Sequence, residues 1–266
     1  MILNIFSNKP VVEPTVHNWV ADTFSWAITH LNGNFLKNDS QLILPTNEFY
    51  PGRVSSVHEM AQRVFSQTVE YAGMQDWPLT LVEPHSISSN KLPVLSENAL
   101  PANTLLRGND ALINLNSEDK QVIEISYNPA QVNQPQDLVS SFAQIFSSLL
   151  VYHAPILPPG GKEYIPQTID LVACFMGFGV IFSNTAFQFK GGCGSCNNRQ
   201  ANRQSTLTEL ETIYCLAMFC QLKNINKKEV LPHLKGHLRK TFKQSVKQLD
   251  KQQSGSEALA LLSLIK

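Results

Sequence analysis

The sequence predicts an α+β fold, helix-rich with a small mixed sheet, on three observations. Apolar residues recur at three- and four-residue intervals over long stretches, as on helices with one buried face. Short runs rich in Val, Ile, Leu and Thr stand apart from one another, bounded by Pro, Gly and Asn, as separated strands are. No internal repeat is visible. At 266 residues the chain is long enough for a sizeable core. A single domain over 1–266 is expected, with a core at about 40–190 and a helical C-terminal extension at about 206–266.

The elements follow in order. Val16, Trp19, Val20, Phe24, Ala27, Ile28 and Leu31 keep helical spacing over 14–31, and Asn32-Gly33-Asn34 ends that helix. A strand is expected at 41–44, closed by Pro45, and a turn at Pro51-Gly52. Ser55 or Ser56 can cap a helix over about 57–72. A second strand follows at 79–82, and 84–109 reads as a long surface loop. Residues 111–115 and 121–127 read as a hairpin turning at Asn116-Ser-Glu-Asp119.

Two helices then dominate the stretch 136–187. On the first, Leu138, Val139, Phe142, Ile145, Phe146, Leu149 and Leu150 make an apolar face. Asp137, Ser141, Gln144 and Ser148 make a polar stripe at the same period. A linker with Pro155, Pro158 and Pro159 leads to an almost wholly apolar helix at about 167–182, which carries Asp170 near its start. A polar, Gly-rich loop covers 190–205. A helix over 207–222 follows, capped by Thr206 or Thr208, and another over about 228–248. A hinge at 251–256 and a terminal helix at 257–265 close the chain.

A helix whose i and i+4 side chains face an acid on the next helix has the geometry of a zincin site. The run Leu138-Val-Ser-Ser-Phe-Ala-Gln144-Ile145-Phe-Ser-Ser148, with Thr168-Ile-Asp170 and Asn184-Thr-Ala-Phe187 after it, resembles a poorly characterised bacterial family of zincin-like metallopeptidases. Members typically carry a His-Glu-x-x-His helix, then a Thr-Asp-containing helix ending in Asn-x-Ala-Phe. Phe49-Tyr-Pro-Gly-Arg53, Tyr71-Ala-Gly-Met-Gln-Asp-Trp77 and Tyr214-Cys-Leu-Ala-Met-Phe219 extend the likeness over roughly 40–250. The resemblance implies a zincin-like scaffold with Gln144 and Ser148 where two His ligands would stand. Ile145 takes the place of the general-base Glu, and Asp170 alone keeps its ligand type. Hydrolytic zinc needs three protein ligands, an open position and a carboxylate to take a proton from bound water. A degenerate member without catalysis is therefore expected. By the same analogy, the 123–127 strand would be the one that binds extended substrate backbone beside the active helix.

Other candidates carry less. Cys193-Gly-Ser-Cys196 has the spacing of half a zinc site, or of a redox pair. Cys215 and Cys220, about 140° apart on a helix, do not copy it. Cys174 reads as a small buried thiol. His58-Glu59 lacks a second His at i+4, whereas His233 and His237 have that spacing on the expected 228–248 helix. Nine Lys or Arg and two acids fall within 222–251, leaving 12 basic and 19 acidic residues elsewhere. A solvated helix face is the plainest account of that polarity.

Composition sets the outer bounds. Charged residues are 16% of the chain against about 25% in a typical domain, and formal net charge is zero. Nothing global points to nucleic acid or a membrane. The first ten residues are too short an apolar run for a secretory signal. The longest uncharged apolar run, 171–182, is about half a bilayer span. Five cysteines, an odd number, fit a reducing compartment. A cytoplasmic protein is expected.

Three readings stand. The leading one is a pseudo-metallopeptidase acting as a binding or structural module, with a peptide or protein as partner. The second is a metal-dependent hydrolase with an unusual ligand set around Asp170. The third is a zinc or redox protein using Cys193 and Cys196, the one place where a cofactor is expected.

Overall fold

The computed structural model describes residues 9–52, 56–84, 106–108, 122–186, 205–252, 260 and 263. It is helix-rich, with a small two-stranded sheet. Helix α1 (Pro14–His30) starts on a proline, whose missing N–H costs nothing at a helix N-terminus. Asn32, at φ 66°, ends α1 and at once caps α2 (Gly33–Asn38) by accepting from Phe35 N. The sequence pattern shows the stop but not this restart. Helix α3 (Val57–Ala72) is capped by Ser56 and stopped by Gly73 in the left-handed conformation.

Strands β1 (Leu79–Val82) and β2 (Ile123–Ser126) pair in parallel, Leu79 opposite Ile123. The expected hairpin partner at 111–115 lies outside the described residues. Residues 41–44 are extended but join no described strand. A backbone bond runs from Ile43 N to Gly177 O at 2.9 Å. The expected strand is instead a segment laid across a broken helix.

That broken helix is the centre of the core. It runs as α5 (Ile165–Ala173), a π turn (Cys174–Phe178) and α6 (Gly179–Thr185). The break sits at Gly177, whose φ is 103° and whose missing side chain makes room for the Gln41 carbonyl. From Thr168 to Thr185 every residue is buried except for a trace of Ile169 and Thr185. By length and composition Gly161–Thr185 could cross a membrane, more than the 171–182 run suggested, yet 78% of its most apolar window is buried inside the fold. That is the signature of a core helix.

Helix α4 (Pro135–His153) lies between α3 and the broken helix. Phe142 and Phe146 meet Phe65 of α3 edge-on at 5.4 and 5.7 Å, and Phe24 of α1 meets Phe175 at 5.9 Å. The proline linker between α4 and α5 is held by two indoles of α1. Trp26 Nε1 donates to Ile156 O and Trp19 Nε1 to Pro159 O. The tripeptide 106–108 is anchored by Arg107, fully buried with its guanidinium between Phe35 and Phe175. Burial pushes that group down to about 9, so it stays charged at neutral pH.

Helix α7 (Glu209–Leu222) opens on a capping box, Thr208 with Glu211. The helix expected over 228–248 is divided into α8 (Lys227–Val230), a 3-10 turn (Leu231–His233) and α9 (Leu238–Gln252). Pro232 and Gly236 fall in the interruption, where a continuous helix would lose bonds and stiffness. Helix α9 packs on α7 through Leu238, Phe242, Ser245 and Leu249, and its lysines face outward. It runs on through Lys251 and Gln252, where a hinge was expected. Most of the expected 257–265 helix lies outside the described residues.

Candidate functional site

Each member of the polar stripe of α4 is engaged, and Gln144 reaches the start of the buried α5. Asp137 sits in the first turn, where a negative charge suits the helix dipole. Ser141 Oγ accepts from Gln131 Nε2 at 2.8 Å. Gln144 Nε2 donates to Asp170 Oδ1 at 2.9 Å. Ser148 turns back on its own helix, donating to Gln144 O at 2.9 Å. Ile145 is partly buried and packs against the core. The structure thus joins Gln144 to Asp170, two positions that the family resemblance set together, and gives Ser148 no bond to that carboxylate.

Asp170 has no exposed surface. A buried carboxylate is tolerated only when its oxygens are hydrogen-bonded, and here the donors converge from the segment leading into α7. Oδ2 accepts from Thr206 N at 2.7 Å, Thr206 Oγ1 at 2.9 Å and Leu207 N at 3.1 Å, with Ser205 Oγ at 3.4 Å. Thr206 Oγ1 also reaches Pro166 O at 2.7 Å. Asp170 therefore acts as a joint between α4, α5 and the entrance to α7. Sequence reading left Thr206 and Thr208 as alternative caps. They divide the work, Thr208 capping α7 while Thr206 holds Asp170.

The donor set does not fit a catalytic zinc. The Gln144 nitrogen facing Asp170 carries protons and cannot ligate, while Ser148 is bonded to backbone and Ile145 cannot move a proton. Among the described residues no three His, Cys, Asp or Glu come together as a metal would require. His233 and His237 are not one helical turn apart. His233 lies in the 3-10 turn, whereas His237 precedes α9 and bonds Glu209 at 3.0 Å.

Behind the joint lies a second lock, built on the Asn184 that opens the Asn-x-Ala-Phe run, a residue to which the sequence assigned no structural role. Buried Asn184 donates to Gln136 Oε1 and His233 O and accepts from Lys235 N, all within 3.0 Å. It ties the start of α4 to the interruption before α9. The signal was a lone Asn at the end of an apolar helix. Among the described residues Cys174, Cys215 and Cys220 are buried and form no disulfide. Burial, with Cys174, Glu211 and Asp170 nearby, holds the Cys215 thiol well above its usual range, so it stays protonated and unreactive. Cys193 and Cys196 lie outside the described residues. No known family, curated protein or solved structure matches the chain significantly.

Proposed function

We propose that this chain is a non-catalytic, zincin-like protein, a pseudo-metallopeptidase that serves as a binding or structural module. One observation carries the reading. The Gln144 amide donates to Asp170 at the position where, in the resembled family, a ligand imidazole and an acid share a metal. The second carboxylate oxygen is filled by Thr206 and Leu207. A joint of this kind holds helices together and leaves no acceptor for zinc and no base for water. A hydrolase built around Asp170 would have to dismantle those bonds first, which sets that reading behind. Under this reading the partner is a peptide or protein. The odd number of cysteines, none of them in a disulfide among the described residues, suits a reducing, cytoplasmic setting.

The test is restoration. In Gln144→His/Ile145→Glu/Ser148→His, the family's ligands return to one helical face opposite Asp170. The reading expects roughly one zinc per chain, lost again when Asp170→Asn is added. Circular dichroism establishes that each variant folds. A folded triple variant that takes up no zinc would show that the register, and with it the resemblance, is wrong.

A further inference from the structure

The lysines of α9 acquire a specific neighbour in the folded chain. Lys240, Lys243, Lys247 and Lys251 recur at three- and four-residue intervals, so they stand in one row on the exposed side of the helix. The last two of that row, Lys247 and Lys251, line a cavity of about 210 Å³. Lys9, from the other end of the chain, lines it as well. Gln248 fixes the two segments together: its Oε1 accepts from Val11 N at 2.7 Å and its Nε2 donates to Val12 O at 3.0 Å.

All three lysines are exposed, so their ammonium groups are open to a ligand. Among the described residues none of them forms an ion pair. The acids nearest in sequence, Glu13 and Asp250, do not line the cavity. A cleft lined by one sign of charge concentrates counter-ions, and an anion seated between these lysines offsets their mutual repulsion.

The residue types narrow the anion. Carboxylates are best met by the arginine fork, and no arginine lines the cavity. Lysines are point charges with three donors each, which suits the many oxygens of phosphate. Gln252 gives its Oε1 to the Tyr214 hydroxyl at 3.4 Å, which leaves its NH2 to donate to a ligand. Lys247 and Lys251 start one helical turn apart, about 6 Å along the axis, so charge spread over linked groups is served better than a single phosphate. No aromatic ring lines the cavity to stack on a base.

We propose that this cavity binds an oligophosphate, a short chain of linked phosphates held by Lys9, Lys247 and Lys251. A free inorganic chain and the tail of a nucleoside triphosphate both offer that group. The site shares no residue with the Gln144–Asp170 joint, and either reading can fail without the other.

Calorimetry on the full chain tests it with tripolyphosphate, orthophosphate and ATP, in about 0.1 M salt without divalent cations. Tripolyphosphate is expected to bind with Kd below about 1 mM, and orthophosphate about tenfold more weakly. Lys9→Met and the pair Lys247→Met/Lys251→Met should each weaken tripolyphosphate binding by about tenfold. Lys240→Met/Lys243→Met removes two charges from the same row outside the cavity and should change Kd less than about threefold. Circular dichroism establishes that each variant folds. ATP bound as tightly as tripolyphosphate assigns a nucleotide tail, and weaker ATP binding a free chain. The proposal falls if the Kd of tripolyphosphate exceeds about 1 mM, or if orthophosphate binds as tightly. It falls equally if Lys9→Met binds as the wild type does. Loss in Lys240→Met/Lys243→Met as large as in Lys247→Met/Lys251→Met would also overturn it, since the charge of the helix and not the cavity would then be the binder.

Discussion

Replacing Asp170 asks whether the joint between α4, α5 and α7 holds the fold as the geometry says. In Asp170→Ala the Thr206 and Leu207 N–H groups and the Gln144 amide lose their acceptor together. A buried donor left unpaired costs about 1–3 kcal/mol, so three of them, partly rehydrated, put the loss near 4 kcal/mol. That is a large share of the 5–15 kcal/mol (roughly) that holds a domain together. Asp170→Asn should behave differently. Its remaining oxygen can stay toward Thr206 and Leu207, while its NH2 meets a flipped Gln144 whose oxygen now accepts. Only charge assistance is lost, partly offset because a neutral amide is easier to bury, so about 1–2 kcal/mol is expected. Urea unfolding followed by circular dichroism should rank wild type above Asn and Asn above Ala. An Ala variant within about 1 kcal/mol of wild type would refute the idea that these bonds organise the fold. So would an Asn variant less stable than Ala.

Two further substitutions probe the scaffold. Gly177→Ala forces a side chain into the left-handed region and against the Gln41 carbonyl, so it should cost about 3 kcal/mol or more by urea unfolding. His153 is held below its usual pKa by burial against Trp77, with its bond to Leu149 O opposing the shift. Its folded pKa is depressed, so the unfolded chain binds the extra proton. Stability should be full above about pH 6.5 and decline as pH falls through the folded value. In His153→Gln the acid-side slope, read from melts at successive pH values, should be shallower. His17 and His30 are shifted the same way and will leave part of that slope in place.

The sequence was most legible where local pattern and tertiary burial agree. Helix α3 begins after Ser56 and ends before Gly73 because cap, apolar period and stop signal coincide there. Helical spacing put Gln144 and Ser148 on one polar face, and it was the family resemblance that set that face opposite Asp170, where Gln144 is found. What could not be read depends on partners distant in sequence. Residues 41–44, Gln-Leu-Ile-Leu, look like a strand, but what fixes them is the carbonyl of Gly177 in a helix break. Nothing local distinguishes that break from a continuous apolar helix. Helix α9 shows the converse: Pro232 and Gly236 were visible, yet the flanking leucines kept an apparent helical period across them. Thr206 is the instructive case within the site. Its hydroxyl and N–H turn to Asp170 rather than to α7, a choice made only when the two elements meet.

If the Asp170 centre is a hydrogen-bonded joint with no metal of its own, zinc bound to the chain should not depend on that carboxylate. Zinc content by elemental analysis tests it most directly, on protein purified without added zinc, as wild type, as Cys193→Ser/Cys196→Ser and as Asp170→Asn. No zinc is expected in the double cysteine variant, whatever the wild type carries, and no change in zinc content from Asp170→Asn. Zinc near one per chain that survives loss of both cysteines and disappears with Asp170→Asn would contradict it.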